Sequence, residues 1–103
     1  MPSVIVEYSF AQPVSDEELS RIAAKVDPCL EVRSGAWVRS SLSKDRKRMI
    51  CEFEAPDADS VRDALRSFGV AFDRVWPAQV FAVESYPELS AKLDAVRAKA
   101  PAS

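Results

Sequence analysis

The chain has 103 residues, 16 acidic and 14 basic side chains, a net charge of −2 and no histidine. That size suits one hydrophobic core, and 48% hydrophobic with 29% charged residues excludes a disordered chain. The charge balance gives no drive toward nucleic acid or anionic membrane, and the missing histidine removes Ser-His-Asp and Cys-His catalysis and every histidine-based zinc motif.

Residues Ser3 to Phe10 alternate, with Val4, Val6, Tyr8 and Phe10 on one side and Ile5, Glu7 and Ser9 on the other. A period of two predicts a strand. Pro13 breaks it. Ser15-Asp16-Glu17-Glu18 has the form of a capping box, with acids in the first turn where the helix dipole favours them. Leu19, Ile22, Ala23 and Val26 follow at helical spacing. Asp27-Pro28 is expected to end this helix, because a residue before proline is pushed out of the α region.

Val32 to Ser43 reads as a second strand carrying Trp37, Val38 and Leu42. Lys44-Asp45-Arg46-Lys47 is polar and forms a hairpin tip. Arg48 to Glu54 alternates again, with Met49, Cys51 and Phe53 opposing Ile50, Glu52 and Glu54. Asp57 is the expected N-cap of a second helix, with Val61, Ala64, Leu65 and Phe68 as its apolar stripe and Gly69 at C′. Phe72 to Val83 is a last extended run, and Pro77 within it points to an edge strand or a bulge. A third helix follows, with Ser85 as its cap, Pro87 early, Glu88 completing Ser-x-x-Glu and Pro101 as its stop. Its apolar stripe of Leu89, Leu93 and Val96 is narrow.

The order β-α-β-β-α-β predicts an α+β, ferredoxin-like fold. A four-stranded antiparallel sheet carries two helices on one face, and an extra C-terminal helix follows. Residues 1–83 form the domain and 84–103 append the helix to it. The start Met1 to Glu7 has no basic n-region, and no apolar run approaches the ~20 residues a membrane span needs. Cys29 and Cys51 fall in different elements and form no CxxC motif. A cytoplasmic protein with reduced thiols is expected, without nucleic-acid or membrane partners.

The face opposite the helices is where a site could form. Alternation places Ile5, Glu7 and Ser9, then Ile50, Glu52 and Glu54, on that face. Trp37, Arg39 and Ser41 are assigned to it from the second strand, and Arg74 and Trp76 from the fourth. A face mixing tryptophan and isoleucine with glutamate and arginine is not left in water, so a homodimer is expected. The site candidates are Glu7, Trp37, Arg39, Glu52, Glu54, Arg74 and Trp76, lining a small-ligand pocket between two facing sheets. Crowded carboxylates there could instead hold a cation. Two other readings are a cofactor-independent enzyme and a purely structural or regulatory module. In the enzyme, Glu52 or Glu7 is the base and Arg39 or Arg74 the electrostatic partner. Binding without catalysis is the preferred expectation.

Three segments carry a family resemblance: Gly35 to Ser43, Arg48 to Ala58, and Phe72 to Pro77. Within them Cys51-Glu52-Phe53-Glu54-Ala55-Pro56-Asp57 is the most specific. Over Val4 to Phe81 the chain resembles the small actinobacterial nickel-binding protein family. The resemblance implies a ferredoxin-like fold, a homodimer built as an α/β barrel, and nickel as a cofactor. The chain departs from that pattern in having no histidine, and in Ser41, where many members have an aromatic residue. A nickel site here would lack imidazole, which nickel prefers to carboxylate.

Overall fold

The computed structural model describes residues 2–99. The strands are β1 (Ser3–Ser9), β2 (Ala36–Leu42), β3 (Arg48–Glu54) and β4 (Arg74–Ala78), and the helices are α1 (Asp16–Val32), α2 (Ala58–Ser67) and α3 (Pro87–Lys99). The sheet is antiparallel in the order β2-β3-β1-β4. This is the ferredoxin-like arrangement.

One row of each strand faces α1 and α2. Val4, Val6 and Tyr8 of β1 and Met49, Cys51 and Phe53 of β3 are buried there. Ile22, Val26 and Leu30 of α1 and Val61, Ala64 and Leu65 of α2 close the core from above. Burial of these apolar rows drives the fold, since each fully buried large side chain contributes about 1.5–3 kcal/mol. Pro77 sits opposite Val4 in β4, an edge strand, where no second neighbour needs its missing N–H. β4 is shorter than the extended run Phe72 to Val83.

α1 departs furthest from expectation. It does not stop at Asp27-Pro28 but continues to Val32. Leu30 lies four residues beyond Val26 on the same face, and both are fully buried. Carrying Leu30 into the core outweighs the hydrogen bond Pro28 cannot give to the Ala24 carbonyl. The second strand therefore starts at Ala36, and Val32 is left 84% exposed at the helix end. The helix closes in a Schellman motif, with Gly35 N–H donating to Leu30 O and Ser34 N–H to Glu31 O. Ser34 occupies the left-handed C′ position at φ 60°. Ser34→Gly is expected to raise stability by up to about 1 kcal/mol, read as a higher urea midpoint. Gly35 suits its place for another reason: a Cβ there would lie 3.1 Å from the Glu54 carbonyl oxygen and 3.3 Å from that of Leu30, so a side chain would press on both backbones.

Local signals otherwise set the helix ends. Ser15 Oγ accepts from Glu18 N–H at 3.1 Å, whereas the Glu18 carboxylate turns to Arg21 at 2.9 Å, so only half of the capping box forms. Asp57 caps α2, and Gly69 stands at its C′ with φ 66°. α3 begins at Pro87, and Tyr86 supplies the carbonyl that receives Ser90 N–H. Ser85 lies in a preceding 3-10 turn, Val83–Ser85, and is not the cap. The expected stop at Pro101 lies outside the described residues. α3 packs against that turn and has no buried residue.

Candidate functional site

Antiparallel register makes the uncovered face a grid. Across it, Arg39 of β2 stands beside Glu52, then Ile5, then Trp76. In the next row Ser41 stands beside Ile50, then Glu7, then Arg74. Read from opposite edges, both rows run Arg-Glu-Ile, so the face repeats itself about a point at its centre. Ser41 holds the place in one row that Trp76 holds in the other. Glu54 and Arg48 extend β3 above and below these rows.

Six of the seven candidates, Glu7, Arg39, Glu52, Glu54, Arg74 and Trp76, lie on this face. Trp37 does not. Plain alternation would put it beside Arg39, but a bulge between Trp37 and Arg39 inserts one residue. Trp37 therefore pairs with Phe53 on the core side, its ring 5.3 Å from the Phe53 ring. Arg39 and Ser41 return to the open face opposite Glu52 and Ile50.

The carboxylates are engaged. Glu52 Oε1 meets Arg39 Nε at 3.3 Å, and the Glu52 side chain is only 15% exposed. Glu7 Oε2 accepts a hydrogen bond from Trp76 Nε1 at 2.9 Å. Arg74 stands in register with Glu7 yet forms no ion pair among the described residues. Beside these groups lies a shallow groove of about 410 Å³ whose walls include Glu7, Ser41, Arg48, Ile50 and Asp73. Sequence reasoning missed Arg48 and Asp73. Strand parity with Ile50 and Glu52 is enough to place Arg48. Asp73 sits before β4, where no periodicity reaches it, and it accepts a hydrogen bond from Ser9 Oγ.

The donors on the described residues do not fit nickel. The chain has no histidine. Cys51 faces the core, fully buried, and its Sγ accepts from Ser40 Oγ at 2.9 Å. Cys29 lies on α1, and neither cysteine is in a disulfide. No three histidine, cysteine or acidic side chains converge to hold an ion among the described residues. Crowding of Glu7, Glu52 and Glu54 into a metal cradle is thus not found within one chain.

Burial pushes the Cys51 thiol from 9.0 up to about 11, opposed by the Ser40 hydrogen bond. It also pushes the Tyr8 phenol upward, reinforced by nearby Cys51. A thiol raised in the folded state stabilises fully below its unfolded value, and that contribution is lost as pH rises through the folded value. Stability is therefore expected to fall between pH 9.0 and about 11. Urea midpoints across that interval should fall less steeply for Cys51→Ala than for the parent, after each is referred to its own neutral-pH value.

The fold defines a small ferredoxin-like protein with one charged sheet face that its own helices leave uncovered. A family described as nickel responsive proteins like SCO4226 matches residues 5–78, and the chain belongs to this SCO4226-like family. The crystal structure of SCO4226 from Streptomyces coelicolor A3(2) shares the fold, with a TM-score of 0.69 and 11% sequence identity. The match covers 78% of this chain and 99% of that one. No curated protein matches the chain. No helix among the described residues is long and apolar enough to cross a membrane.

Proposed function

We propose that the chain is a cytoplasmic homodimer that binds a small ligand between two facing open sheets. The observation that carries this is the composition of the uncovered face. Three arginines (Arg39, Arg48, Arg74) and three glutamates (Glu7, Glu52, Glu54) surround Ile5, Ile50 and Trp76. Equal numbers of both signs make the face complementary to itself, as a two-fold interface requires. Ile50 at 49% and Trp76 at 43% exposure gain by being covered. The groove beside Ile50 leaves room for a ligand with an apolar body and a polar group that meets guanidinium or carboxylate.

The family description speaks of nickel. The reading for this chain is an organic ligand, because its own donors do not form a nickel site. Sedimentation equilibrium should show a dimer. A thermal-shift screen of small amphipathic molecules should find compounds that raise the melting temperature, and Arg48→Ala and Ile50→Ala should diminish the rise. Calorimetric titration with nickel should give no heat beyond that of buffer. A monomer at every concentration, or a panel without any shift, would overturn the reading. Saturable nickel heat would overturn its organic-ligand part.

A further inference from the structure

The segment beyond β4 lies outside the family match, and α3 packs only against the preceding 3-10 turn, with Leu93 half-buried and the ends of its apolar seam exposed. α3 exposes Leu89 and Val96, and Phe81 before it is 71% exposed. Leu89, Leu93 and Val96 stand at i, i+4 and i+7, a seam as narrow as that of a helix seated in a groove. Lys92, Arg97 and Lys99 flank that seam. Two α3 helices placed seam to seam would bring these cations together, which disfavours pairing of α3 with itself.

The chain carries a groove of matching character. Between α1 and β2 lies an apolar cleft of about 290 Å³, lined by Leu19, Ser20, Ala23, Trp37, Ser40 and Met49. Asp16, Ala23, Asp27 and Glu31 follow one another along α1 at spacings that share a face, so carboxylates continue that face beyond either end of the cleft. Asp16 also meets Arg46. The cleft is at the β2 edge of the sheet, and α3 departs from the β4 edge. Within one chain these are opposite edges. If two open faces meet about a two-fold axis parallel to the strands, the β4 edge of one copy lies over the β2 edge of the other.

We propose that α3 is a docking arm for a second copy of the chain, its Leu89, Leu93 and Val96 seam seated in the α1–β2 cleft of that copy. This rests on the face-to-face dimer proposed above. The occupant is argued from charge, since Lys92, Arg97 and Lys99 beside the seam meet Asp27 and Glu31, the two carboxylates along that face of α1 that are not engaged by Arg46. It also gives Trp37 a role, as the aromatic wall on which the arm rests.

The test is the dissociation constant of the full-length dimer by sedimentation equilibrium. Leu93→Lys should raise it about tenfold or more while leaving the far-ultraviolet circular dichroism of the fold unchanged, because α3 places no residue in the core. In a Cys29→Ser background, Ala23→Cys combined with Leu93→Cys should give a covalent dimer on oxidation, and neither cysteine alone should. An unchanged dissociation constant, an intramolecular crosslink only, or a dimer from Leu93→Cys alone would overturn the arm and leave the face-to-face dimer standing. A monomeric parent chain would overturn both.

Discussion

Phe53→Ala is expected to remove about 3–5 kcal/mol of folding stability, measured by urea unfolding. Phe53 is the largest side chain in the fully buried set. It sits on β3, a central strand, between Val4 of β1 and Trp37 of β2. Its removal therefore opens a cavity where neighbours on both sides are fixed by the sheet and cannot collapse inward freely. The whole stability of a domain this size is about 5–15 kcal/mol, so one truncation takes a large share of it. Phe53→Leu refills most of the space and should cost much less. The substitution should also alter Trp37 fluorescence, because the Trp37 ring loses the surface it leans on. A loss below about 1 kcal/mol would mean that the sheet and helices do not close over this position.

Trp37 shows where reading from sequence ends. Strand parity assigned the β1 and β3 rows correctly, because seven residues with strict alternation leave one way to bury Val4, Val6, Met49, Cys51 and Phe53. The same parity failed at Trp37, because a bulge is one extra residue and has no fixed signature in β2. Arg39 kept its assigned face because the bulge falls before it. The carboxylate and arginine candidates were legible for this reason, whereas their partners were not. Glu7 accepts from Trp76, which stands in the adjacent row on the neighbouring strand, and only the observed register brings those residues within reach. The absent histidine carried more weight. It limited metal chemistry to carboxylate and thiolate, and the fold then turned Cys51 into the core. What remains on the open face is an arrangement of arginine, glutamate, isoleucine and tryptophan side chains.

Leu30→Ala and Pro28→Ala are expected to move stability in opposite directions, although two residues apart on one helix. Leu30 is fully buried, and its truncation should cost about 2–5 kcal/mol. Pro28 is exposed, leaves the Ala24 carbonyl without its helical donor, and strains the preceding turn. Alanine restores the N–H and the helical preference, against a gain of freedom in the unfolded chain. The net expectation for Pro28→Ala is a gain of about 1–2 kcal/mol. The two variants together decide why α1 runs past a proline that local preference would make its end. If burial of Leu30 holds the last turn in place, the double variant should lose most of what Leu30→Ala loses, with the helix preserved in far-ultraviolet circular dichroism. If Pro28 instead sets the geometry that lets Gly35 approach Leu30 and Glu54, Pro28→Ala alone should destabilise. That outcome would place the cause of the helix length in the Schellman turn rather than in the core.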